Sequence, residues 1–437
     1  MLAVGARAVY DEQEENTREI RMERTIFYDA VKERMLRYAK VDTQSRNDST
    51  KTPTTDKQFA LARMLYDELN AIGADEVWLD ETACVVYAKL PANIAGGTPF
   101  GLVTHMDTAP DASGTDVKPW VLLDYDGGEI VLNAAQGIVM RPQEFPNLLQ
   151  YVGQDLILTD GTTLLGGDDK AAIAAVMTFA EHLLRHPELP HGSISLAFTP
   201  DEEVGGLAKD LDLNRFGAKV AYTLDGDHLG HYMDETFHAS HAKITVKGLS
   251  VHPATAKGIM INASDVVTEF LSLLPQGEKP QYTEGREGFF HVLSIRSSCE
   301  RAEAELIIRD HDRTIFERRE ALLLAIADKL NETYGAGTAA VTIEQSYRNM
   351  KEVVERYPYL IENLTEAIRR AGLTPVGEAF RGGTDGSALS HRGLPCPNLS
   401  AGYENAHGRF EYVPIRSMET NVEILLHLCD LFANMQA

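Results

Sequence analysis

The sequence predicts an α/β fold in which a parallel sheet is interrupted by an inserted α+β domain of ferredoxin-like order. Three observations predict it. Four segments run apolar and then end in acids or a histidine: GLVTHMDTAP (101–110), LLGGDDKAA (164–172), FTPDEEVGG (198–206) and AYTLDGD (221–227). Strands ending in this way share one carboxyl-side rim, where open α/β sheets bind ligands. A strand, a helix and a second strand follow one another up to residue 199, the order of a parallel βαβ unit. From about 238 to 350 the order becomes β-α-β-β-α-β.

Taken from the start, residues 1–25 carry MLAVGARAV and a charged run, with neither the basic start nor the apolar centre of a secretory leader. They read as a polar extension. Residues 26–40 and 56–72 space their apolar residues as helices do, with Thr55-Asp56 as the cap of the second. Strands are expected near 75–89 and 99–105, and short antiparallel strands among the Gly, Pro and Asp of 106–160. An Ala-rich helix from Lys170 to Arg185 is apolar nearly all round, so it should be buried, and a strand at 193–199 follows it. The insert reads as strand 241–248, helix 262–274, strands 289–296 and 302–310, helix 314–333 and strand 339–345. A helix over 351–371 then returns to the first domain. The expected division is therefore 26–237 with 350–437, and 238–349 as an insert.

A length of 437 residues, 44% hydrophobic and 24% charged residues suit a globular chain with a large core. The formal charge of −24, with no Lys/Arg cluster, argues against nucleic acid. No apolar run approaches the roughly 18 residues of a membrane span. Cys84, Cys299, Cys396 and Cys429 lie far apart, which fits buried thiols in a reducing cytoplasm better than disulfides or a cysteine metal site.

The polar strand ends hold the chemistry. In His105-x-Asp107 the acid can bind a metal or orient the histidine through its other ring nitrogen. Asp169, before Lys170, reads as a helix cap, whereas Asp168 has the further option of bridging two cations. The glycines ahead of it resemble a phosphate loop only in spacing, since Gly167-Asp168 stands where Lys-Ser/Thr is required. Asp201-Glu202-Glu203 follows the apolar ISLAF, where unpaired burial of three acids would be costly and cations would remove the cost. One glutamate of the pair can bind metal while its neighbour takes a proton from water. Asp225 ends another apolar run, and His407 supplies a late imidazole in NAHGRFEY (405–412). Asp, Glu and His without cysteine suit zinc, manganese or cobalt. Arg381 in RGGTDGS is either a helix cap or a fork for a substrate carboxylate. His252, Asn262 and Arg309 in the insert are weak signals alone.

From about residue 26 onward the chain resembles the peptidase T family, the aminotripeptidase branch of the co-catalytic zinc superfamily that also holds aminoacylases and dipeptidases. The resemblance rests on TKTPTTDKQ, VTHMDTAP, GTTLLGGDDKAA, FTPDEEVGG, KGLSVHPATAKGIMINAS and FRGGTDGSALSHRGLPCPNLSAGYENAHGRFEYVP. It implies a phosphorylase/hydrolase-like zinc exopeptidase core with a ferredoxin-like lid. It implies two divalent ions, zinc foremost: one on His105, Asp168 and Asp225, the other on Asp168, Glu203 and His407. Glu202 would be the general base acting on a water between the metals, Asp107 the orienting acid, and the bond after Asp168 cis. His252, Asn262, Arg309 and Arg381 would contact substrate. The implied activity is release of the N-terminal residue from tripeptides, in the cytoplasm, with a homodimer left open. The rivals are an N-acyl-amino-acid deacylase or dipeptidase of the same superfamily, and a catalytically inactive metal-dependent peptide-binding protein. The pattern departs at ENAHG, where the family more often has an aromatic residue beside the histidine.

Overall fold

A computed structural model describes residues 24–206 and 208–435, so the expected polar extension lies outside the described residues except for its end. There, Arg24 pairs with Asp155 at 2.7 Å, and the Thr25 N–H and hydroxyl both donate to Glu419 Oε1. The chain divides into two compact units. One takes in the chain up to Tyr232, Tyr357–Val376 and the chain from Gly393; the other is Met233–Arg356 with Gly377–Arg392. These bounds differ from the expected 238–349, and the segment carrying Arg381 groups with the second unit.

The first unit opens with helices Tyr28–Tyr38 and Gln58–Ile72, followed by β1 (Asp75–Asp80), β2 (Val85–Leu90) and β3 (Phe100–His105). The one strand expected at 75–89 is thus a pair, β1 antiparallel to β2. Next come β4 (Trp120–Leu122), β5 (Ile130–Asn133), β6 (Ile138–Met140) and β7 (Leu156–Leu158), the short strands expected in the Gly/Pro-rich stretch. Helix Gly167–Arg185 leads to β8 (Ile194–Thr199) and β9 (Ala221–Leu224), and β10 (His231–Glu235) runs across the boundary after Tyr232. Late in the chain, after β11 to β15, lie β16 (Asn398–Leu399), β17 (Tyr412–Pro414) and helix Ile415–Ala433.

In the large sheet, β8, β3, β9 and β16 are consecutive and parallel, while β2 joins β8 antiparallel, so the sheet is mixed rather than wholly parallel. His105 ends β3, Glu202 and Glu203 follow β8, Asp225 follows β9, and the loop to His407 follows β16. Asp168 arrives differently. The strand before it, β7, pairs with β4 and β17 in a separate antiparallel sheet, and a loop intervenes. The helix it opens is buried along Ala171–Ala180, because Ala, Ile, Val, Met and Phe leave no polar stripe. Two local expectations fail. The second helix has Lys57 at its N-cap with no side-chain cap, and Thr55 Oγ1 donates to Gln44 O instead. The helix expected at 351–371 breaks into Lys351–Val354 and Pro358–Arg370, since Pro358 offers no N–H and forces Tyr357 out of helical geometry.

The second unit holds β11 (His238–Lys247), helix Ala263–Ser272, β12 (Phe289–Ser297), β13 (Arg301–Asp310), helix Arg313–Tyr334 and β14 (Ala339–Tyr347). This is the expected β-α-β-β-α-β order. The strands form one antiparallel sheet, β12-β13-β11-β14. Alternation sends Ala302, Ala304, Leu306 and Ile308 of β13 inward, beside Val246, Ile244 and Ala242 of β11, into a core shared with Val266, Phe270, Leu323 and Leu330 of the helices. Further along the chain lie β15 (Val376–Ala379) and the short helix Asp385–His391. Among the described residues no helix is long and apolar enough to cross a membrane.

Candidate metal centre

The rim of β3, β8 and β9 and the two loops bearing Asp168 and His407 bring seven of the expected residues into one neighbourhood of the first unit. Asp168 is the middle of it. Its Oδ1 lies 3.0 Å from His105 Nε2, and its Oδ2 lies 3.3 Å from His407 Nε2. His407 Nε2 is also 2.9 Å from Glu203 Oε2. Two donor sets result, His105 with Asp168, Asp169 and Asp225, and Asp168 with Glu203 and His407, each with its donor atoms within 4.8 Å of one another. The Asp168–Asp169 peptide bond is cis.

Around these groups the chain supplies braces. Asp107, wholly buried, accepts the backbone N–H of Glu202 at 2.9 Å and of Glu203 at 3.2 Å, and its Oδ1 is 3.4 Å from His105 Nδ1. One carboxylate therefore sets both the imidazole and the turn carrying two glutamates. Asp201, the first acid of the triplet, is structural. At φ +63° it turns its carboxylate onto the Thr54 N–H and hydroxyl and the Gln58 amide. Its buried charge is thereby satisfied with no cation needed. Tyr403 donates its hydroxyl to Asp225 Oδ1 and accepts the Gly226 N–H, both at 2.9 Å.

Asp169 corrects the expectation of a cap. The residue preceding the helix is Gly166, with no side-chain cap, and Asp169 Oδ2 instead accepts the His105 N–H at 3.2 Å. The acid doublet was the available signal. Tyr403 carried no signal of its own, since its partners, Asp225 and the Gly226 N–H, lie far away in the sequence. The ENAHG segment makes a tight loop: Asn405 and His407 have φ of +56° and +63°, Asn405 Nδ2 donates to Phe410 O, and Ala406, beside the histidine, packs toward the core. His407 is 47% exposed, and its Nδ1 lies 3.7 Å from Asp111.

The expected substrate contacts all lie in the second unit. Exposed His252 caps a short 3-10 turn, its Nδ1 accepting from Ala254 N–H. Asn262 caps helix Ala263–Ser272 through Ser264 N–H. Arg309 donates to Ser240 O and Ile308 O, with its guanidinium over the Tyr347 ring. Arg381 caps no helix. It donates to Gly285 O, Glu287 O and Thr283 Oγ1 and lies over the rings of Phe237 and Phe289.

The residues fit a pair of divalent cations. Glu203 Oε1 and Asp169 Oδ1 are buried and meet no hydrogen-bond donor, as oxygens aimed at a cation would. The donors are hard oxygens and imidazoles without sulfur. Crowding also shifts their proton affinities. Burial and the charge of Asp168 push Glu203 up to about 8 and Asp225 up to about 6. Hydrogen bonds to Asp168 and Glu203 raise His407 to about 11. Burial opposes ionisation of Asp168, yet hydrogen bonds from His105 and His407 hold it below the usual carboxylate range.

A stability prediction follows from these directions. Glu203 and Asp225 bind protons more tightly folded than unfolded, so the stability they contribute is present below their unfolded values of 4.5 and 3.8. It is lost as pH climbs through about 8 and about 6 respectively. The chelator-treated protein should therefore melt at a lower Tm at about pH 8 than at about pH 5, and zinc should remove the difference. A chelated protein whose Tm holds level or rises over that range would contradict this account.

A model of peptidase family M20/M25/M40 matches residues 165–430. The chain is 47% identical over 405 residues to a protein of Clostridium botulinum (strain Langeland) named peptidase T, covering 92% of this chain and 99% of that one. The chain belongs to peptidase family M20/M25/M40. Solved structures similar to this family member include aminopeptidase PepT from Bacillus cereus, with a TM-score of 0.74 and 21% identity over 93% of this chain and 99% of that one. A tripeptidase from Staphylococcus aureus gives 0.71 and 23% over the same shares. These two confirm the M20 fold.

Proposed function

We propose that this M20/M25/M40 member is a metallo-aminopeptidase that releases the N-terminal residue of tripeptides. The carrying observation is Asp168, whose two oxygens face two different histidines, His105 and His407. The relatives named peptidase T, aminopeptidase and tripeptidase support the substrate class. Zinc is the proposed metal, with His105, Asp168 and Asp225 holding one ion and Asp168, Glu203 and His407 the other. When bound, such a pair acidifies water and polarises a carbonyl. Glu202 takes the proton of the attacking water and passes it to the leaving amine. Asp107 keeps Glu202 and His105 in place through the contacts above. His252, Asn262, Arg309 and Arg381, in the insert around 238–349 and the Arg381 segment, bind the peptide.

The test is a zinc-replete assay of tripeptides beside dipeptides, tetrapeptides and N-acetyl amino acids. Tripeptides with a free amine should give the highest kcat/KM. Preference for N-acetylated substrates would favour a deacylase, preference for dipeptides a dipeptidase, and no turnover a binding protein. Arg381→Ala should weaken use of peptides with a free C-terminal carboxylate by roughly 2–5 kcal/mol, the scale for truncating a buried charge pair. Equal losses on acid and amide peptides would leave Arg381 only its role on the 283–287 backbone.

A cytoplasmic location and a homodimer belong to the same proposal. Cys84, Cys396 and Cys429 are buried free thiols, as a reducing compartment allows. In the second unit β12 is an edge strand with Leu293 and Ile295 half exposed, a surface suited to a second copy. Light scattering on the purified chain should give twice its mass of 48.2 kDa. A monomeric mass removes the dimer.

A further inference from the structure

We propose that Glu411 is a positioning residue for the shared carboxylate Asp168, clamping the backbone that presents it from the same hairpin that presents His407. This inference rests on the two-cation reading. Glu411 is 1% exposed. Its Oε2 accepts the N–H groups of Leu165 at 2.9 Å and Gly166 at 2.7 Å, and its Oε1 accepts that of Asp168 at 2.9 Å. Three amides within four residues are thus drawn onto one side chain, just where the chain leaves helical geometry at Asp168 and Asp169. A loop so held no longer chooses its own path.

The approach is close enough to demand glycine. At Gly167 a Cβ would fall 2.5 Å from Val413 Cγ2 and 3.1 Å from Glu411 Oε1. The hairpin that carries Glu411 is itself tied at both ends. Glu404 and Tyr412 exchange two backbone hydrogen bonds of 2.9 and 3.0 Å, and Tyr412 pairs with Leu158 of β7. His407 sits at the tip between these fixed points, four residues before Glu411. Glu411 therefore ties the loop that presents Asp168 to the hairpin that presents His407, which bears on the spacing between Asp168 Oδ2 and His407 Nε2. A glutamine at 411 has one acceptor oxygen, and its amide NH2 would face a backbone N–H, so it cannot satisfy all three donors.

Glu404 provides the comparison. It is equally buried at the stem of the hairpin but bonds Tyr151, Asn147 and His228 and none of residues 165–168. The experiment is a competition titration of the full-length, chelator-stripped protein with zinc against a chromogenic chelator, for wild type, Glu411→Gln and Glu404→Gln, with a thermal melt of each. Wild type should bind two zinc ions. Glu411→Gln should still melt cooperatively but bind both ions roughly 10–100-fold more weakly, the scale for outer partners of metal ligands. Glu404→Gln should weaken only the ion that needs His407. The inference is overturned if Glu411→Gln binds both ions as wild type does, weakens only one, or no longer melts cooperatively. It is also overturned if Glu404→Gln weakens both ions equally. A wild type that binds no pair of ions would instead sink the two-cation reading itself.

Discussion

Glu202→Gln is expected to keep both metal ions and to lose ~10²–10⁴-fold in kcat, the usual scale for a positioned acid or base. That loss corresponds to about 3–5 kcal/mol of barrier. The substitution preserves shape, and the backbone N–H of residue 202 still donates to Asp107, which holds the turn. What disappears is the oxygen that receives a proton from water. Its neighbour should behave differently. Glu203 Oε2 lies against His407 Nε2, so Glu203→Gln should lower metal occupancy. Steady-state kinetics paired with elemental analysis of both variants checks this. If Glu202→Gln sheds metal while Glu203→Gln keeps it, Glu202 is the ligand and Glu203 the base.

Asp168→Asn should have the broadest effect of any single change at the centre. Its two oxygens face His105 and His407 separately, and an amide leaves an oxygen on one side and an NH2 on the other. One site then loses a donor outright, and the other keeps only a neutral carbonyl oxygen in place of a carboxylate. Zinc titration should show at least ~10²-fold weaker binding at both sites, at or beyond the upper end of the range for outer partners, and turnover should vanish with the metal. A variant that retains one ion at wild-type affinity together with full activity would remove the sharing role from Asp168.

Most of this centre was legible because an apolar run that stops at an acid has a simple physical meaning. Charges cannot continue into the sheet interior, so His105, Glu202, Glu203 and Asp225 had to emerge at strand ends, and the parallel pairing of β3, β8 and β9 put those ends together. The insert was legible for a related reason, since its strands alternate cleanly against two amphipathic helices. Asp168 was grouped with the strand ends, yet it follows a loop from a different sheet, because LLGG before it imitates a strand in composition only. Asp201 looked like part of the acid cluster, and its partners Thr54 and Gln58 lie more than a hundred residues away in sequence. Glu411 was invisible for a deeper reason. Its partners are backbone amides, which every sequence possesses.

The proposed ligands are strung along the chain from residue 105 to residue 407, with the whole second unit intervening. A ribosome that has just released Asp225 has made every donor of one ion's set but lacks the imidazole of the other. Domains commonly fold as units. The first unit needs β16 and helices Pro358–Arg370 and Ile415–Ala433 to finish its sheet and core, so both fold and centre wait for the chain beyond the insert. Peptide cleavage is therefore withheld until translation has passed the insert. A product terminated inside the insert would lack both His407 and the C-terminal part of the first unit's core, Leu360 to Phe432, and so could complete neither the centre nor the fold around it.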